Sequence, residues 1–328
     1  MKKLNVLSLI FITISFFSCQ EKSQIYVPTI DGEWWQVAGD PDLGEYTSPK
    51  QQPVDFGVWQ AADGTWQLWS CIRNTECGGE TRLFYRWEGE SLTDTDWKQM
   101  GIAMKADTLL GETFGGLQAP YVIEKDGMYY MFYGDWVNIC LAISEDGKNF
   151  TRVMNDEGTP ALFKGPYNNT RDPMVLEYNG LFYCYYMGHV KETKPNSAIF
   201  CRTSADLKNW SQPIMVSGGG VAATKTSWFG GDAECPYVVN KDGLFYLFRN
   251  QLYGEDNHNT QYCSPNLLDF GVDDDQYLIG TLDVAAPEII FHKGEYYMAA
   301  LLPSLKGIRI AKLKWVALSI GLSRCLQR

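Results

Sequence analysis

Apolar positions in this chain come in short runs broken by turns, and no stretch repeats at the spacing of an amphipathic helix. Met174-Val175-Leu176, then Asn179-Gly180, then Leu181-Phe182-Tyr183-Cys184-Tyr185-Tyr186-Met187 reads as strand, tight turn and strand. Asn-Gly between two such runs signals a β-hairpin, because both turn residues must take positive φ. The same frame returns along the chain. Pro173 leads to Gly180 and an aromatic run, Pro120 to Gly127 and Met128-Tyr129-Tyr130, Pro236 to Gly243 and Leu244-Phe245-Tyr246, and Pro287 to Gly294 and Glu295-Tyr296-Tyr297. A fifth, looser copy runs from Asp55-Phe56 to Gly64 and Thr65-Trp66-Gln67.

A second motif follows three of these hairpins. Ser144-Glu145-Asp146-Gly147-Lys148-Asn149-Phe150 matches Ser204-Ala205-Asp206-Leu207-Lys208-Asn209-Trp210, and the segment Ser264 to Phe270 matches both more weakly. Each unit is therefore a meander of three or four antiparallel strands. With anchors roughly 50 to 65 residues apart, such units describe blades around an axis and not a solenoid. Five anchors predict an all-β fold, a five-bladed β-propeller in a single domain over residues 31–315. Gly32-Glu33-Trp34-Trp35-Gln36-Val37 precedes the first blade and is expected to close the ring beside Ile308 to Trp315, removing an exposed edge. The tail 316–328 fits no blade and carries no assigned function.

The composition, 45% hydrophobic and 14% aromatic over 328 residues, suits a large core. A net charge of -11 argues against nucleic acid as a partner and favours a neutral, sugar-like one. Lys2, Lys3 and the apolar run Leu4 to Phe17 have the form of a targeting signal. Phe16-Phe17-Ser18-Cys19 is similar to a bacterial lipobox, so residues 1–19 read as a lipoprotein signal with Cys19 the lipidated residue and 20–30 a polar tether. The other reading is a secretory peptide cleaved nearby. The expected location is the bacterial cell envelope, exported and held at the membrane by the lipid anchor alone.

Removing Cys19 leaves eight cysteines. Cys71 and Cys77 are close enough to close a small loop. Cys184 and Cys201 fall on neighbouring expected strands, where a bridge and two buried thiols both fit. Buried free thiols are expected for most of the eight, because a large core needs no staples. With no C-x-x-C pair and no histidine cluster, neither a zinc site nor any other cofactor is expected. Sequons at Asn149, Asn168 and Asn209 carry no weight beside a bacterial lipobox.

The frame breaks at the start of the innermost strands, which neighbouring blades should pack on both sides. Ala119 and Ala286 obey the expectation of a small or apolar residue, but Asp55, Asp172 and the pair Glu234-Cys235 do not. Three carboxylates near one axis are costly to bury unless they have partners or work. Paired carboxylates cleave glycosidic bonds, one protonating the leaving oxygen and another attacking or activating water. Arg171 adds a fork of donors for sugar hydroxyls. Because the second strand of a hairpin ends where the first began, residues closing each second strand should rim the same cleft. These include Asp135, Trp136 as a stacking platform, and His189 and Arg249 as hydroxyl binders. His292 lies before a far turn and reads as structural.

The chain thus resembles the five-bladed propeller glycoside hydrolases, families 43 and 32 and their relatives, from about Asp31 to Trp315. Thr170-Arg171-Asp172-Pro173 resembles the Arg-Asp-Pro motif of family 32, and Ala233-Glu234-Cys235-Pro236 its Glu-Cys motif. Gln118-Ala119-Pro120-Tyr121 is closer to family 43 and adds Gln118 to the substrate-binding set. The resemblance implies Asp55 as nucleophile or general base, Asp172 as the carboxylate that binds substrate and tunes the acid, and Glu234 as general acid. Val54-Asp55-Phe56-Gly57 departs from the Asn-Asp-Pro-Asn-Gly of family 32. Too few residues follow Trp315 for that family's usual C-terminal β-sandwich. The expected activity is a glycosidase acting on terminal bonds of plant or algal oligo- or polysaccharides. The alternative is a surface glycan-binding propeller lipoprotein that no longer cleaves.

Overall fold

The computed structural model describes residues 24–167, 169–190, 197–220 and 233–318. Cys19 and the rest of the signal, with residues 319–328 of the tail, lie outside them. Five small antiparallel sheets make a five-bladed propeller. Blade one is built from β2 (Gln52–Gln60), β3 (Trp66–Arg73), β4 (Leu83–Gly89) and β5 (Lys98–Met104). Blade two holds β6 (Gln118–Lys125), β7 (Met128–Gly134) and β8 (Asn138–Ser144), with the short strands β9 (Thr151–Arg152) and β10 (Ala161–Lys164) both on β8. In blade three lie β11 (Arg171–Tyr178), β12 (Leu181–His189), β13 (Ser197–Ser204) and β14 (Ile214–Ser217). Blade four takes β15 (Glu234–Lys241), β16 (Leu244–Leu252), β17 (His258–Ser264) and β18 (Leu278–Leu282). Blade five takes β19 (Glu288–His292), β20 (Glu295–Leu301) and β21 (Gly307–Ala317), and its outer strand is β1 (Tyr26–Gly39). Among the described residues no helix is long and apolar enough to cross a membrane.

The ring closes where the aromatic N-terminal segment suggested. β1 lies antiparallel to β21, with Tyr26 opposite Ala317 and Gly39 opposite Gly307. The strand starts at Tyr26, so residues 26–30 belong to the sheet and not to a tether. Pro28 is tolerated there because β1 is an outer edge, where a missing N–H breaks no ladder. At the other end β21 runs past Trp315 to Ala317, and Leu318 N donates to Ile25 O at 2.8 Å.

Four of the hairpin turns have the positive-φ pair that their sequences require: Asp126-Gly127, Asn179-Gly180, Asp242-Gly243 and Lys293-Gly294. The second motif is a turn that ties blades together. Asp146 accepts from Ser144 Oγ, Lys148 N and the backbone and side-chain nitrogens of Asn149, and Asp206 repeats this with Ser204, Lys208 and Asn209. The amides of Asn149 and Asn209 are thereby committed to their own turns. Each motif ends in an aromatic ring that reaches the preceding blade. Phe150 packs on Trp59 and Trp69, Trp210 on Phe132 and Phe163, and Phe270 on Tyr185. The core therefore lies between blades, where facing sheets interdigitate.

All seven cysteines among the described residues are free. Cys184 stands opposite Arg202 and Cys201 opposite Tyr185, so the two thiols project from opposite faces of their sheet and cannot bridge. Cys71 instead donates to Leu117 O, and Cys77 to Arg82 O.

Candidate active site

The innermost strands β2, β6, β11, β15 and β19 line the axis, and one residue near the start of each shares a backbone feature. Asp55, Ala119, Asp172, Cys235 and Ala286 take positive φ of 33°, 45°, 57°, 43° and 48°. None is glycine, so each holds a conformation costing on the order of 1–3 kcal/mol. In four blades the ladder slips register at this point: between Val54 and Phe56, Gln118 and Tyr121, Arg171 and Met174, and Glu234 and Tyr237. Such a bulge turns the strained side chain toward the axis. Proline follows in four of the five copies, its missing N–H falling where no ladder bond is made. Close approach of the blades depends on Gly57, whose Cβ would stand 2.5 Å from Pro120 O.

This geometry refines the sequence frame. Cys235, and not Glu234, occupies the axial position shared by Asp55 and Asp172, while Glu234 stands one residue earlier with Arg171 and Gln118. The Asp55 and Asp172 carboxylates and the Cys235 thiol have donor atoms all within 4.8 Å of one another. Cys235 Sγ lies 3.2 Å from Asp55 Oδ1 and 3.7 Å from Asp172 Oδ2, and Cys235 N donates to Asp172 Oδ2 at 3.1 Å. Arg171 donates to Glu234 Oε1, and its Nε is 3.6 Å from Asp172 Oδ2. The two ring positions thus make one connected cluster of three acids and a guanidinium.

Charge is distributed unevenly within it. Asp172 has a side chain 2% exposed. Burial first, then the Asp55 charge, push its pKa up to about 8 against the pull of Arg171. Burial works against the charge on Arg171, but Glu234 and then Asp172 outweigh it and hold the guanidinium charged. The Cys235 thiol is kept protonated by burial, then by Asp172 and Asp55. Asp55, Asp172 and Cys235 have the donor types for a divalent ion.

Not every rim candidate joins the cluster. His189 ends β12 with Nε2 3.3 Å from Asn169 Nδ2, and burial and then Arg171 keep its ring neutral. Gln118 is buried beside the axis at the frame position of Arg171 and Glu234. Asp135 is spent on its own turn, accepting from Val137 N, Asn138 N and Asn138 Nδ2. One face of Trp136 is covered by the Arg82 guanidinium, 4.6 Å from the ring centre. Arg249 has no exposed surface. It donates to Ser217 Oγ, at the end of β14, and to Gly219 O and stacks over Tyr262, so among the described residues it ties blade four to blade three and does not reach for ligand. His292 packs edge-on against Trp66, as a structural residue would.

Three site residues escaped the sequence reading of chemistry. Cys235 reads as a small hydrophobe, although its place before Pro236 matched that of Asp172 before Pro173. Tyr253 follows β16 outside any repeat frame, and its hydroxyl is 3.2 Å from Asp55 Oδ1. Glu288, half-buried, lines an axial cavity of about 20 Å³ with Asp55, Asp172 and Cys235, and burial raises its pKa well above the ordinary range.

A five-bladed propeller with acids and a guanidinium gathered at one end of its axis is the architecture of a propeller glycosidase. The family model described as "Glycosyl hydrolases family 32 N-terminal domain" matches residues 85–300, a span that includes Asp172 and Glu234 but not Asp55, and the chain belongs to this family of enzymes. No curated protein sequence matches the chain. Solved structures share the fold at low identity. A thermostable family-43 glycoside hydrolase is 19% identical with a TM-score of 0.61, over 84% of this chain and 94% of that one. An endo-arabinase from Bacteroides thetaiotaomicron is 16% identical with a TM-score of 0.59, over 84% and 98%. A family 43 enzyme from Xanthomonas citri complexed with xylose is 12% identical with a TM-score of 0.57, over 84% and 90%.

Proposed function

We propose that this glycoside hydrolase cleaves terminal glycosidic bonds of plant or algal oligo- or polysaccharides, with Glu234 as general acid, Asp55 as nucleophile or base, and Asp172 holding sugar hydroxyls and tuning Glu234. One observation carries the reading: Asp55, Asp172, Glu234 and Arg171, distant in sequence, form one connected cluster at the start of the inner strands. A sugar hydroxyl entering the cleft competes with Glu234 for the Arg171 fork. Freed from the guanidinium, Glu234 takes a proton and delivers it to the leaving oxygen as Asp55 acts from the other side of the ring. Asp172, protonated near neutral pH, gives a hydrogen bond to a hydroxyl where a carboxylate would only accept. The arabinase and xylose-bound enzymes among the structural neighbours make arabinosides and xylosides the first substrates to try, with fructans and algal oligosaccharides beside them.

Glu234→Gln keeps the shape and the contact with Arg171 but cannot supply the proton. It is expected to lower kcat on the best substrate by on the order of 100-fold or more while leaving the fold intact. Wild-type turnover in that variant removes Glu234 from the acid's role. The departure at Val54-Asp55-Phe56-Gly57 and the start of the family match beyond Asp55 favour a second reading, a propeller that binds glycans without cleaving them. Oligosaccharide binding by calorimetry, with no product after prolonged incubation, would select it. We also propose export and acylation at Cys19. Labelling with a fatty-acid analogue should mark the wild-type chain and not Cys19→Ala.

A further inference from the structure

Asp55 comes from blade one, yet its hydrogen bonds come from blade four. Tyr253, in the connection between β16 and β17, places its hydroxyl 3.2 Å from Asp55 Oδ1. Cys235, at the start of β15, places Sγ 3.2 Å from the same oxygen. Sγ and the Tyr253 hydroxyl are themselves 3.1 Å apart. Three contacts share two hydrogens, and both are drawn to the carboxylate, since bonds to a charged acceptor are the stronger. Burial first, then nearby acids, keep both donors protonated. The second oxygen, Oδ2, enters none of these bonds.

We propose that Tyr253, with Cys235, is a positioning residue for Asp55: the two donors hold Oδ1 and leave Oδ2 as the oxygen that attacks or activates water. This rests on the role given to Asp55 above. Two donors on one oxygen fix both the plane and the rotation of the carboxyl, which a single bond cannot do. Both are hydrogen bonds to a carboxylate, the form that either role requires. The support is built in beforehand. Tyr253 packs partly buried against the main core, and Asn250, near the end of β16, accepts from Ala286 N at 3.1 Å, pinning the strand that leads into Tyr253 to blade five. The placement also explains why Val54-Asp55-Phe56-Gly57 works without the family's local motif: the order around Asp55 is supplied from across the axis.

The test is Tyr253→Phe, which removes one oxygen and keeps the ring. We expect kcat to fall about 10- to 100-fold with KM changed less than about threefold, and the acidic limb of kcat/KM to move up by about one pH unit. A packing role alone would leave that limb in place. The charged or titratable groups facing Asp55 are Arg171 and Asp172 on β11, Glu234 and Cys235 on β15, Cys71 on β3 and Glu288 on β19. Cys235→Ser, which keeps a donor, should shift the limb less than Cys235→Ala does. A second readout needs no substrate. Carbodiimide labels a protonated carboxyl, so the pH midpoint of labelling at Asp55, read by peptide mass spectrometry, should rise in Tyr253→Phe. An unchanged midpoint in a folded Tyr253→Phe protein, or equal midpoints for Cys235→Ser and Cys235→Ala, overturns the proposal even if the wild-type enzyme cleaves nothing offered to it. A raised midpoint without turnover keeps the clamp and instead refutes the catalytic reading.

Discussion

Asp172 is held where its charge is disfavoured, and this sets a pH dependence of its own. Its pKa rises from an ordinary 3.8 to about 8 on folding. The folded protein therefore binds this proton more tightly than the unfolded chain does, and the associated stability is fully present below about pH 4 and is lost as pH rises through about 8. Asp172→Asn keeps the shape of the protonated acid and removes the titration. It should stabilise the fold at pH 8 by on the order of 1–3 kcal/mol and change little at pH 4, while lowering activity steeply. Melting temperatures of the two proteins at both pH values give the answer, and a gap that does not widen with pH refutes the account. Residue chemistry was legible in the sequence where it broke a rule. An acid in a frame demanding apolar residues exposed Asp55 and Asp172. Cys235 stood out only as the neighbour of Glu234, because a cysteine suits a buried strand, and Tyr253 broke no rule, because a tyrosine suits any edge of a core. Arg249 misled for a related reason. Its place near the end of β16 gave its height along the axis, but the alternation of side chains turned it to the face that packs on blade three.

At the scale of the element, the hairpin and the turn that follows it divide the work. Paired positive-φ residues fix the register of four of the five inner hairpins, which in turn sets where the strained axial residue falls. The aromatic ring ending the second motif then fixes one blade against the one before. Phe270 has no exposed surface and packs on Tyr185, whose hydroxyl donates to Leu267 O at 2.9 Å. Trp59 makes the matching bond to Gly147 O at 2.8 Å in the first pair of blades. Phe270→Ala should destabilise the protein by about 3–5 kcal/mol, as loss of a buried ring generally does, and denaturant titration reads this directly. A loss below about 1 kcal/mol would mean that the rings fill space without binding the blades. The repeats were plain in the sequence because glycine and proline mark backbone geometry. The link between blades was not, since the motif gave the turn but not which neighbour its ring would meet.

For the whole molecule, closure of the ring rests on two strands from opposite ends of the described chain. β1 covers the outer edge of blade five along its length, and the side chain of Gln24 donates to the carbonyls of Ile25 and Leu318. Removing residues 24–39 would strip that edge and leave four complete blades and one partial one. The expected result is aggregation at ordinary concentrations, visible by size exclusion, with cleft and carboxylates still encoded in the chain. The arrangement also has a consequence in time. All the other blades lie between β1 and β21 in sequence, so β1 can find its partner only after the rest of the propeller has been made. Until then an aromatic, β-rich segment stays unpaired. Pairing so distant in sequence is slow, and a permuted chain that places β1 directly after β21 should fold faster and aggregate less than the natural order.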